Sequence, residues 1–156
     1  MKNSAHANAV IAGYYINTAL FNNLDMETAI RKMKLAENYV DKSLAINSNN
    51  KFALESKGMC RTYFNDDMTA IPFLKNAIKS DSNYTGSYNN LGIAYRNISN
   101  IDSALFFFGI AMNKENAFSF PANNYIQMLL KQNKINEKTR NFELNETKRN
   151  EKEKQT

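Results

Sequence analysis

Apolar residues recur along this chain at helical spacing. Leu91, Ala94, Tyr95 and Ile98 follow i, i+3, i+4 and i+7, the stripe of a helix with one buried face. Comparable runs predict helices near 5–22, 26–47, 51–64, 68–80, 85–97, 101–114 and 119–132, then a polar, fraying one from 135 to about 148. Asp25 ahead of "METAI" suits a helix start. Asp66 and Asp67 form a carboxylate pair whose simpler reading is the N-cap of the 68–80 helix. Pro72 comes near the first turn of that helix, where a missing donor costs little. Gly92 sits inside its own stripe, at a cost of about 1 kcal/mol relative to alanine. Such a glycine calls for a packing reason.

That reason lies in a repeat. Shifting the chain by 34 residues superposes Gly92 on Gly58, Ala104 on Ala70, Ala111 on Ala77 and Phe108 on Leu74. One step further back, Ala36, Val40 and Ser43 fall on Ala70, Leu74 and Ala77. One step forward, Leu91, Tyr95, Ile101 and Phe108 fall on Tyr125, Leu129, Ile135 and Phe142. The pattern resembles the tetratricopeptide repeat (TPR) family, in which a large residue, Leu-Gly and a Tyr mark the first helix and small and aromatic residues mark the second. Here these are Tyr88, Leu91, Gly92 and Tyr95, then Ala104, Phe108 and Ala111. The preceding copy keeps Leu54, Gly58, Ala70, Leu74 and Ala77 but departs at Lys57 and Arg61.

The resemblance covers about residues 5–142 and implies an all-α fold, a TPR-like α-solenoid of antiparallel helix-pair repeats. About three full repeats would follow an elongated N-terminal helix pair and end in a polar C-terminal cap, where Lys138 replaces a small residue. Residues 1–142 would form the repeat domain and 143–156 a charged, disordered tail. In each pair the helices would cross closely at Gly92 and Ala104, or at Gly58 and Ala70 one copy back, with Tyr95 and Phe108 filling gaps between units. On that reading Gly92→Leu overpacks and Gly92→Ala is mild. Gly13 lies 23 residues before Ala36, against 12 between Gly92 and Ala104, so the first pair is stretched. Cys60 aligns with Ala94 and reads as a small buried residue.

The resemblance also implies a concave groove lined by the first helix of each pair, with which family members hold peptides or protein segments. By register the facing residues are Glu55, Ser56, Met59, Thr62 and Tyr63 in one unit and Asn89, Asn90, Ile93, Arg96 and Asn97 in the next. The last unit offers Asn123, Asn124, Gln127 and Lys131. Paired asparagines present donor and acceptor to an extended backbone, and Arg96 and Lys131 suit a carboxylate. The plain alternative is an ordinary wet surface. Members that grip a C-terminal carboxylate use a clamp of lysine, arginine and asparagine. Asn90 fits the clamp's middle asparagine, but Glu55 and Met59 stand where Lys and Asn are needed, and Phe120 and Asn124 replace the last basic pair. The clamp is absent. Phe106, within "LFFFG", occupies a site that is usually polar; with Phe118 and Phe120 it makes an interaction patch, or else packs on a neighbouring helix.

Composition narrows the chemistry. A chain of 156 residues suits one domain, and 5 Gly with 2 Pro leave little turn chemistry for an all-β fold. No apolar run reaches the roughly 18 residues of a membrane span. Cys60 is the single cysteine and His6 the single histidine, which excludes an intrachain disulfide and argues against metal clusters and catalytic dyads. No phosphate loop, nucleophile elbow or zinc-protease motif occurs. The expectation is a non-enzyme with no cofactor and no metal. Of the net charge of +5, +3 falls on residues 131–156, where basic residues alternate with glutamate. That mixture suits a solvated tail and argues against nucleic-acid binding. Abundant asparagine and lysine read as coding bias. "MKNSAHANAVIAGYYINTALF" has the flavour of a signal peptide, yet Asn8, Asn17 and two tyrosines break its apolar segment, so an amphipathic first helix is expected.

Together these features describe a non-catalytic protein-interaction module or scaffold with a peptide or protein segment in its groove. It would be cytoplasmic, or periplasmic if it is a piece of a longer chain. The alternative is an accessory or regulatory repeat domain of a larger, membrane-anchored assembly. That domain would form homo-oligomers through the aromatic patch.

Overall fold

The computed structural model describes residues 4–114, 121–133 and 136. The elements run α1 (Ala5–Phe21), α2 (Met26–Ile46), α3 (Lys51–Tyr63), α4 (Asp67–Ser80), α5 (Thr85–Asn97) and α6 (Ile101–Met112). A further helix, α7, covers 121–133. Each end of α1 to α6 falls within two residues of its expected place. The polar helix from 135, Lys138, Phe118, Phe120, Phe142 and the tail over 143–156 lie outside the described residues. Among the described residues no helix is long and apolar enough to cross a membrane.

Asparagines shape the corners between helices. Asn50 accepts from the Phe52 and Ala53 amides at 3.1 and 3.2 Å, and Asn100 accepts from Ser103 at 3.1 Å, each capping a helix. Asp25 caps α2 in the same way through the Thr28 amide at 2.8 Å. Asn23, Asn65 and Ser99 take positive φ (47°, 60° and 62°) in the turns inside the three helix pairs. Asn65 and Ser99 are repeat equivalents, so the left-handed corner is itself part of the repeat. The asparagines read as coding bias therefore include several with structural positions. Asp66 holds the N-cap position of α4 but makes no side-chain cap; its carboxylate faces Arg61 at 3.7 Å instead. Pro72 is the sixth residue of α4, beyond the first turn, on an exposed face.

The fold is an all-α solenoid. Helices pair as α1 with α2, α3 with α4 and α5 with α6, while α1, α3 and α5 also touch one another in a row. The first pair is the long one, with 17 and 21 residues against 13 and 14 in the second. Burial follows the repeat: Ala36, Ala70 and Ala104 are fully buried, as are Val40, Leu74 and Phe108, and Ser43, Ala77 and Ala111. Cys60 is buried beside Ile16, Met33 and Ala36, and its thiol is pushed up to about 12, first by burial and then by the Glu37 charge.

Two expectations about packing need correction. A Cβ on Gly92 would lie 2.6 Å from the Phe108 ring, and one on Gly58 would lie 2.5 Å from Leu74 Cγ. The glycine therefore makes room for the large residue of its partner helix, not for Ala104, while Phe108 also shares a buried cluster with Met128 of α7, in the next unit, as expected of a residue that fills the gap between units. Tyr95 and Phe107 fill the seam between units, stacked with centroids 5.5 Å apart against the Ala70–Leu74 cluster. The first helix is also not amphipathic. Asn8 and Thr18 are buried on α1 while Val10, Tyr14 and Phe21 are exposed. Its alanines, Ala9 and Ala12, pack on Val40 and Ala53, and Ile16 packs on Met33 and Ala36, so one bulky residue shares the inner face with small and polar ones.

The departures at Lys57 and Arg61 have a shared cause. Lys57 meets Glu37 at 3.0 Å and Asp41 at 2.7 Å, and Arg61 pairs with the same Glu37. This cluster joins α3 to the long α2, where the next copy uses Leu91. Glu37→Leu leaves Lys57 nearly buried with only the exposed Asp41 and is expected to lower stability by about 1–3 kcal/mol. Lys57→Leu restores the repeat's own residue and should change stability by less than about 1 kcal/mol, since apolar replacements of buried ions are often neutral. Urea denaturation of both variants measures the asymmetry. Equal losses would mean the carboxylate is not needed to hold the lysine.

Candidate functional site

Because α1, α3 and α5 stand side by side, one face of each looks onto a common surface. Two adjoining cavities lie there. The larger, about 360 Å³, has His6, Val10, Gly13 and Asn17 of α1 on one wall. Phe52, Glu55, Ser56 and Met59 of α3 form the other wall, closed by Tyr84 and Asn90. The smaller, about 190 Å³, is bounded by Leu20, Met59, Thr62, Tyr63, Asn90 and Ile93. Met59 and Asn90 border both, so the two form one groove.

Seven of the expected residues line this groove: Glu55, Ser56, Met59, Thr62, Tyr63, Asn90 and Ile93. Seven others do not border either cavity. Asn124 donates to Asn89 Oδ1 at 3.0 Å, and Asn97 donates to Asp67 at 3.2 Å, so these amides bind neighbouring helices. Arg96 is half-buried, and Asn123, Gln127 and Lys131 are exposed on α7. The α1 wall, Phe52 and Tyr84 were not anticipated. The extra length of the first pair breaks the 34-residue register, so repeat alignment carries no residue onto α1. Gly13 shows this: a Cβ there would meet nothing within 4 Å, and the glycine borders the groove instead of a helix crossing.

Hydrogen bonds between first helices join successive units, the first of them at the groove. Asn90 Nδ2 donates to Glu55 Oε1 at 2.9 Å, and one repeat on Asn124 donates to Asn89 in the same way at 3.0 Å. Asn90 and Asn124 thus each tie their unit to the one before through one amide N–H. Glu55 is only 8% exposed, and burial pushes its carboxyl up to about 7, with hydrogen bonds from Tyr84 and Asn90 pulling the other way. Burial and the Glu55 charge in turn raise the Tyr84 hydroxyl. In the smaller cavity the Thr62 hydroxyl is buried with no hydrogen-bond partner among the described residues. Phe106 lies away from the groove, 62% exposed, edge-on to Phe107 at 5.1 Å. No cluster of three or more His, Cys, Asp or Glu suited to a metal occurs among the described residues.

No family model and no curated protein matches the sequence. Solved structures do match. The second TPR domain of human RPAP3, solved in complex with an HSP70 peptide, superposes with a TM-score of 0.61 at 14% identity, covering 80% of this chain and 97% of that one. The Sgt2 TPR domain from Aspergillus fumigatus gives 0.64 at 14% identity over 81% and 82% of the two chains. A thermophilic TPR protein of Thermus thermophilus gives 0.67 at 16% identity, with 81% of this chain spanning 64% of that protein. The fold is that of a TPR domain. In this TPR fold the groove presents a buried carboxylate, Glu55, on its α3 wall.

Proposed function

We propose that this TPR-fold chain is a non-catalytic interaction module that holds an extended protein or peptide segment in the groove of α1, α3 and α5. The observation that carries this reading is the continuous pair of cavities with mixed walls. Apolar Leu20, Met59, Tyr63 and Ile93 stand beside polar Asn90 and Thr62, as expected of a site that takes side chains and backbone together. Arg96, Asn97, Asn123, Gln127 and Lys131 remain as flanking contacts for a segment longer than the two cavities.

Selection from a random-peptide display library tests it. Peptides captured by the full chain should lose at least tenfold in affinity when Leu20→Lys and Ile93→Lys are combined, while the helical circular-dichroism spectrum is kept. Asn90→Ala with Arg96→Glu should weaken them as well. Deleting 147–156 should leave binding unchanged. A second reading has its own observation, the exposure of Phe106: self-association through that patch, as an accessory domain of a larger assembly. Sedimentation of Phe106→Ser against the parent separates the two. Peptide capture that survives the groove changes but fails in Phe106→Ser would move the binding surface to the patch.

A further inference from the structure

Of the two hydrogen bonds that join the first helices of successive units, one is made to a charged group. Asn89, the repeat equivalent of Glu55, accepts the same hydrogen bond with a neutral amide, so a carboxylate is not required to join the units. Glu55 nevertheless places a carboxylate, 8% exposed, in the wall of the larger cavity. Among the described residues no cation is paired with it. Lys57 and Arg61, on the other side of α3, are taken by Glu37 and Asp41 of α2 and by Asp66 ahead of α4, and Lys51 is held by Asp81. The titratable groups bordering the cavity with it are His6 on α1 and Tyr84 ahead of α5. A buried anion with hydrogen-bond donors but no counter-charge is an unfavourable arrangement that a cation would relieve.

We propose that the Glu55 cavity receives one cationic side chain, the lysine or arginine of the segment held in the groove. The proposal rests on the groove reading above and adds the chemistry of its occupant. The carboxylate and the carbonyl oxygen of Asn90 accept from the ammonium or guanidinium group. Val10 and Met59 cover the aliphatic stem. Lys51, held by Asp81, already lies over the Phe52 and Tyr84 rings at 4.9 and 5.3 Å, so the carboxylate and not an aromatic face selects the cation. The adjoining cavity, walled by Leu20, Tyr63 and Ile93, takes an apolar neighbour in the same segment. Acidic C-terminal tails are excluded by like charge. Protonation of Glu55 competes with the cation, so capture weakens as pH falls through about 7.

Two measurements test this at pH 8. In the first, butylguanidinium is titrated into the full chain while the Asn90 side-chain amide signal is followed by NMR, with neutral butylurea as control. A saturable shift with the cation alone, lost in Glu55→Gln, is expected. Absence of saturation, an equal response to butylurea, or a response retained in Glu55→Gln overturns the proposal. In the second, the display selection is repeated on the parent and on Glu55→Gln. The parent should enrich a fixed basic residue beside an apolar one, and Glu55→Gln should lose the basic preference at least tenfold. Groove-bound peptides with no basic position would sink the cation site and leave the groove reading standing. Peptides indifferent to Leu20→Lys with Ile93→Lys would sink the groove reading, whatever butylguanidinium does.

Discussion

Gly92→Ala is expected to destabilise the fold by about 1–3 kcal/mol, while Gly13→Ala, in an equally helical setting, should be neutral or gain up to about 1 kcal/mol. Helix propensity alone would predict a gain at both positions. The difference lies across the helix pair. A methyl on Gly92 would stand 2.6 Å from two atoms of the Phe108 ring, whereas one on Gly13 would meet nothing within 4 Å. Phe108 is fully buried and has no free direction in which to retreat, so the helices must part or the ring must leave its rotamer. Gly92→Leu should be worse still. Adding Phe108→Leu to Gly92→Ala should cost less than the two changes summed, because the smaller side chain removes the clash. Thermal melts of these variants, with Phe108→Leu alone among them, decide it. An unchanged melting temperature for Gly92→Ala would show that the ring has room the structure does not give it.

This contact also marks where the sequence stopped being legible. The 34-residue period revealed that Gly92, Ala104 and Phe108 belong to one unit, and burial of all three follows that register. It did not reveal which side chain of α6 covers the glycine, because spacing identifies a helix face and not the reach of a ring. The resemblance to the repeat family implied that Glu55, Met59, Asn90 and Ile93 share a surface, and all four border the groove. The period said nothing of α1, whose longer pair falls out of register and whose inner face mixes Ala9, Ala12 and Ile16 with buried Asn8 and Thr18. Nor did it show that Asn90 donates to Glu55 and Asn124 to Asn89, since spacing does not say which side chains of two neighbouring helices meet. Lys57 and Arg61 looked like defects until Glu37 supplied their partner.

The largest electrostatic effect is expected at Glu55. Its carboxyl moves from 4.5 to about 7, chiefly through burial. Between those values the folded chain holds a proton that the unfolded chain has released. The stability tied to this proton is therefore fully present below about 4.5, declines as pH rises, and is gone above about 7. The shift corresponds to on the order of 3 kcal/mol. Glu55→Gln keeps an acceptor for Asn90 and Tyr84 without the charge. It should raise stability by up to that amount at pH 8 and change it little at pH 4. Asp25 and Asp81 pull the other way, since the Thr28 amide and the Lys51 hydrogen bond hold their carboxyls below the usual range and their contribution fades in acid. Both are common to parent and variant, so the difference between the two stability profiles isolates Glu55. Urea melts across pH 4–8 measure it. Parallel profiles would mean that water or structural relaxation already solvates the carboxylate. Profiles that diverge with rising pH would show a chain less stable than a single amide could make it, as expected where a buried charge is kept for a ligand.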